Sequence, residues 1–121
     1  MSFIYLASPY THSDPAVMQK RYEEALEAVV LLSNAETVYS PIVHFHNAAL
    51  AFDMPKDATF WRKQNVDMLE VADNLIILTL DDWHKSVGVA FEQGYALGLK
   101  KPIYFNSLSW LRNRYGSEVP K

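Results

Sequence analysis

The chain has no cysteine among its 121 residues. That excludes a disulfide framework and any thiolate-ligated metal site, and it fits a reducing compartment. There is no basic excess either, since 11 Lys and Arg stand against 14 Asp and Glu for a formal charge of −3. Proteins that bind a nucleic-acid polymer show a basic stripe, whereas these cations are scattered, so any nucleotide partner is expected to be small. Long hydrophobic runs are also missing: Ala25 to Leu32 is broken by Glu27, and Leu75 to Leu78 is short. Both fall far below the ~20 residues of a membrane span. The first residues, MSFIYLASPY, lack the basic lead and long apolar core of a signal peptide. No repeat or low-complexity segment interrupts the sequence, and a cytoplasmic location without membrane attachment is expected.

What is present is an apolar half of the composition, enough for one hydrophobic core and too little for two. Residues 1–121 are therefore expected to form one domain. Phe3 to Leu6 (FIYL), stopped by Ser8-Pro9, suits a buried parallel strand. A helix is predicted from Pro15, behind Asp14, to Ser33. Thr37 to Ser40 (TVYS), ended by Pro41, reads as a second strand, and residues 42 to 58 as an irregular stretch. Thr59 is placed as the cap of a helix from Phe60 to about Ala72, before a third strand, Asn74 to Leu80 (NLIILTL). A helix from Val87 to Leu99, a fourth strand Pro102 to Phe105 and a helix from Leu108 to Tyr115 complete the series. Alternating strands and helices imply βαβ crossovers and a small parallel α/β sheet covered on both faces, in the flavodoxin-like (Rossmann-like) manner.

In such sheets ligands sit beyond the carboxyl ends of the strands. The loop after the third strand runs into SVGVAFEQGYALG, where Ser86 and Gly88 open a helix. Free amides, the helix dipole and a serine hydroxyl there favour an anion such as phosphate, although Ser86 is equally an ordinary N-cap and Gly88 a packing residue. Glu92 lies four residues past Gly88 on the same helical face. A carboxylate near a helix N-terminus is expected to be held in its charged form, a competent nucleophile for the anomeric carbon of a sugar. Cleavage of a glycosidic bond uses a second acid to protonate the leaving group, and Asp67 in NVDML is the candidate.

Together, IYLASPY, NVDMLEVADNLII and the SxGxxxEQGYALG pattern resemble the nucleoside 2-deoxyribosyltransferase superfamily, including its nucleoside 5'-monophosphate N-glycosidase branch. The resemblance spans nearly the whole chain. It implies Glu92 as the nucleophile at C1', Tyr5 as the phenol that holds its carboxylate, and Asp67 as the group assisting the departing base. It also implies Ser86 as a phosphate-binding serine, which favours a nucleotide substrate. No cofactor is implied, and cleavage by water or transfer to an acceptor base are both left open, as is a nucleotide sensor that keeps the pocket without turnover. Relatives commonly complete the pocket from a neighbouring subunit, so a homodimer or larger homo-oligomer is expected, with Asn106 and Ser107 as candidate contributors.

The loop after the first strand, Ala7-Ser8-Pro9-Tyr10, lacks the glycine of many relatives, so base or phosphate recognition is expected to differ there; Ser8 and Tyr10 of this loop are candidate substrate contacts. His44 and His46, in SPIVHFH, alternate on a strand-like face and are candidates for hydrogen-bonding to substrate. With no cysteine beside them and no acid until Asp53, no metal site is expected. Trp83, Trp61 and Tyr10 are candidates for stacking on a base, Trp83 foremost. Arg21 could reach a phosphate from the first loop.

Overall fold

The computed structural model describes residues 2–56 and 58–116. Four strands, β1 (Ile4–Ala7), β2 (Val38–Tyr39), β3 (Asn74–Leu78) and β4 (Ile103–Asn106), form one sheet in the order β2-β1-β3-β4. Every pairing is parallel, with Tyr5 beside both Tyr39 and Leu75, and Leu75 beside Ile103. This is the α/β parallel sheet expected from the alternation of elements.

The period-two geometry of a strand divides the core between the two faces of the sheet. Ile4 and Leu6 of β1, with Ile76 and Leu78 of β3, point toward Ala28, Leu31 and Leu32 of α1 (Pro15–Leu32) and Leu108 and Leu111 of α5 (Leu108–Tyr115). Tyr5 and Ala7, with Leu75 and Ile77, point the other way. They meet Leu69 of α3 (Ala58–Val71) and Val89 and Ala96 of α4 (Val87–Gly98). A third cluster, Tyr10, Ala25, Ile42, Phe45, Ala49 and Trp61, joins α1 and α3 to α2 (Pro41–Ala51).

The helix α2 corrects the sequence reading of residues 42 to 58. Its residues IVHFH alternate like a strand, yet the start signal at its head is helical. The Ser40 hydroxyl accepts the Val43 amide at 3.2 Å and Pro41 occupies the first turn. Thr59 is likewise corrected: α3 starts at Ala58, so Thr59 lies inside its first turn rather than capping it. Elsewhere small polar side chains start the helices. Asp14 caps α1, Ser86 caps α4, and Ser107 caps α5 through the Trp110 amide at 3.0 Å.

In the order β2-β1-β3-β4 the chain leaves β1 toward one side of the sheet and β3 toward the other, so a crevice opens between their carboxyl ends. Because α2 forms one bank of that crevice, its cap matters to the site. Ser40→Ala is expected to cost about 1 kcal/mol of stability in chemical denaturation; a variant as stable as the wild type would remove the cap from this account.

Candidate active site

A cleft of about 340 Å³ occupies the crevice, within the range of small-molecule sites. Its floor is built by two elements far apart in sequence. On α4, Val89, Glu92 and Ala96 form the buried stripe that faces the sheet, at spacings of three and four. Glu92 thus goes inside with only 7% of its surface exposed. The strand parity that sends Tyr5 to the same face brings its fully buried phenol to the carboxylate, and Tyr5 donates its hydroxyl hydrogen to Glu92 Oε2. Tyr39 of the neighbouring strand packs on the Tyr5 ring at 5.6 Å.

Burial dominates the electrostatics here. It pushes the Glu92 carboxyl up to about 7, against the opposing pull of the Tyr5 hydrogen bond. The Tyr5 phenol is driven far above its ordinary range, first by burial and then by the adjacent Glu92 charge. This corrects the expectation that the helix terminus keeps Glu92 charged. Glu92 is the sixth residue of α4, beyond the first turn in which the dipole acts, and desolvation outweighs it.

The walls divide by chemistry. One is aromatic: Phe45 and Trp61 stack at 4.6 Å with 15° between their planes, beside Ile42 and Tyr10. The other is the head of α4, where Ser86, Val87 and Gly88 line the cleft next to Lys85. Lys56 and Arg62 line it from α3 and the segment before it, the Arg62 guanidinium lying 4.3 Å above the Phe91 ring. Three cations therefore surround a cleft in which, among the described residues, Glu92 is the only carboxylate.

Of the residues singled out from the sequence, Ser8, Tyr10, Trp61, Ser86, Gly88 and Glu92 line this one cleft, with Tyr5 bonded beneath Glu92. Asp67 does not join them. It sits two residues past Asn65 on α3, roughly 200° around the helix, and lies in solvent, its carboxylate 3.5 Å from Lys63. The cleft face of α3 carries Trp61, Arg62 and Asn65 instead.

His44 is exposed on α2, its ring against Tyr39 and outside the cleft, because helical rather than strand geometry separates it from His46. His46 is buried and serves Tyr10. Gln19 donates its amide N–H to Glu23, so Gln19 Oε1 is left to accept from His46 Nε2 at 3.0 Å, and His46 Nδ1 then accepts the Tyr10 hydroxyl at 2.7 Å. Burial, aided by the Lys56 charge, lowers the His46 pKa and keeps the ring neutral in that role.

Trp83 is half-buried against Phe105 at 5.6 Å, a core contact rather than a cleft wall. Arg21 donates to the carbonyls of Tyr10 and Thr11, fixing the loop after β1 instead of facing a ligand. Ser107 is spent on the α5 cap. Sequence reasoning passed over Asn65, Arg62, Lys56 and Lys85; for Asn65 the available signal was its place on the apolar stripe Trp61, Asn65, Leu69, Ala72.

Residues 2–107 match the model of a family described as a domain of unknown function, DUF1937. The chain belongs to the DUF1937 family. No curated protein matches this DUF1937 chain in sequence. Among solved structures, the fold is similar to that of a 2-desoxiribosyltransferase from Leishmania mexicana, at a TM-score of 0.53 and 22% identity. That similarity covers 88% of the DUF1937 chain and 65% of the Leishmania protein, so the chain spans about two-thirds of its length. The shared feature is the Rossmann-like α/β fold with its parallel sheet. Among the described residues no helix is long and apolar enough to cross a membrane.

The raised Glu92 pKa has a consequence for stability. Between its ordinary 4.5 and about 7 the folded state binds the Glu92 proton more tightly than the unfolded state does. The associated stability is complete at low pH and is lost as pH rises through about 7. Glu92→Gln keeps an acceptor for Tyr5 without the titration. Relative to wild type, this variant is expected to gain on the order of 3 kcal/mol as pH rises from about 4.5 to 8. Parallel denaturation curves that show no pH-dependent gap would contradict a buried, uncharged-preferring Glu92.

Proposed function

We propose that this chain cleaves or transfers the N-glycosidic bond of a small nucleoside or its 5'-monophosphate, with Glu92 as the nucleophile at C1'. The observation that carries this reading is a buried carboxylate, alone of its kind in the cleft among the described residues, held by Tyr5 beneath one aromatic wall and one formed by Lys85 and the head of α4. Tyr5 engages Oε2 and leaves Oε1 for attack. As the Glu92 oxygen bonds to C1', the C1'–N bond breaks and the base departs with the electron pair, protonated by water from the open cleft. Water or an acceptor base then displaces Glu92 from C1'. The Phe45 and Trp61 rings offer the base an apolar surface, and Lys85 with the head of α4 offers a 5'-phosphate its charge complement. The resemblance read in the sequence and the fold shared with a deoxyribosyltransferase support the same assignment. A cytoplasmic setting, without cofactor, belongs to this reading.

One observation favours a second reading, a nucleotide sensor that binds without turnover: no second acid lines the cleft among the described residues. The two are separated by incubating wild type and Glu92→Gln with nucleosides and 5'-monophosphates, with and without acceptor bases, and following released or exchanged base by chromatography. Glycosidic chemistry predicts release by wild type and at least a roughly 1000-fold loss in Glu92→Gln; release undiminished in that variant would eliminate Glu92 as nucleophile. Since attack needs the carboxylate, kcat/KM is expected to rise as pH climbs toward about 7 and to level off above it. Asp67→Asn, on the solvent side of α3, is expected to stay within about twofold of wild type.

A second copy of the chain is part of the proposal. Val87 stands on the cleft wall with 76% of its surface in solvent, an apolar rim suited to cover by a neighbour. Light scattering is expected to return at least a dimeric mass, and a single-chain mass at the assay concentration would count against a shared site.

A further inference from the structure

Asn65 is 9% exposed, lines the cleft that holds Glu92, and its Oδ1 is buried with no hydrogen-bond partner. A carboxamide placed in that way is costly to the fold unless a ligand repairs it, because an unpaired buried acceptor loses its hydration without recompense. Ser8 Oγ, on the opposite bank after β1, is in the same condition and lines the same cleft. The third such atom, Asn74 Oδ1, sits at the start of β3 and does not line the cleft. Among the described residues, two of the three side chains that carry such an atom thus line one cleft.

The chemistry of the orphan atom restricts what can satisfy it. Oδ1 only accepts, so its partner must bring an N–H or O–H, while the Nδ2 of the same amide donates and calls for an acceptor beside it. Trp61, one turn earlier on α3 and stacked on Phe45, lines the same bank, an aromatic setting that suits the base of a nucleotide. An amine next to a ring nitrogen, the edge that aminopurines and aminopyrimidines share, matches both atoms of the amide at once. A ring of the same shape with a bare C–H in place of the amine leaves Oδ1 unpaired.

Resting on the glycosidic reading above, we propose that Asn65 is a specificity-determining residue that selects a base carrying an amine beside a ring nitrogen. The amide also carries no titratable proton. Its contribution is therefore recognition of the base, and it supplies no acid for the base's departure.

The test compares ligands that differ only by the amine: adenosine 5'-monophosphate against purine riboside 5'-monophosphate, and cytidine 5'-monophosphate against its counterpart lacking the amine. Each is titrated calorimetrically in ribo and deoxy forms, and as the nucleoside, against Glu92→Gln so that nothing is consumed. At least one pair is expected to show a preference of about 10-fold or more for the amine. In Asn65→Leu, added to Glu92→Gln, that preference is expected to vanish while the weaker ligand's affinity changes little. No discrimination within either pair, or a preference that survives Asn65→Leu, overturns the assignment of Asn65 and leaves the nucleotide site standing. Should the leucine variant not fold, the absence of a preference in Glu92→Gln still overturns the assignment, and Asn65→Ala takes the place of the leucine variant. Failure of every ligand to bind overturns the nucleotide reading itself, and the assignment of Asn65 with it.

Discussion

A single buried hydrogen bond, from the Tyr5 phenol to the Glu92 carboxylate, is the constraint around which the rest of this chain is arranged. A carboxyl inside an apolar stripe needs a donor, and the strand beneath it supplies one. Satisfying it fixes the parity of β1, since a shift of one residue would turn Tyr5 toward α1 and α5 and bring Leu6 beneath Glu92. It also fixes the rotation of α4 over the sheet, because Glu92 shares its stripe with Val89 and Ala96. Core and site are in this respect the same piece of packing.

The bond sits within a charge arrangement that favours anionic ligands without making the carboxylate too stable. Lys56, Arg62 and Lys85 stand around the cleft, while the carboxyl below them is kept near neutrality by burial. Such a group is ionised in part at neutral pH and poorly solvated, as the role proposed for Glu92 requires. The Tyr10–His46–Gln19 chain plays a different part, holding one wall by neutral hydrogen bonds.

Much of this was legible in the sequence because it rests on local pattern. The alternating apolar runs forecast the parallel sheet, and the Ser86, Gly88 and Glu92 spacing forecast their common exposure to one cleft. The errors share a cause as well. IVHFH has the alternation of a strand, and only Ser40-Pro41 at its head reveals the helix that moves His44 into solvent. Asp67 attracted notice as an acid, although the spacing of Trp61, Leu69 and Ala72 already sets the inner face of α3 at Asn65. In both places helical phase, not residue chemistry, decides which side chains face the cleft. The balance between dipole and desolvation at Glu92 depends on three-dimensional burial, which no local pattern carries.

The two partners of the central hydrogen bond lie 87 residues apart in the chain. β1, although made first, stands inside the sheet and finds its longer partner only in β3. Parallel pairing across such distances closes large loops and belongs to the slow end of folding. During synthesis the first strand therefore waits, unpaired on that side, while the residues between it and β3 emerge from the ribosome. Its floor unites the first strand with the fourth helix, so the cleft is completed late in folding, and no stretch of the chain that lacks either element carries it.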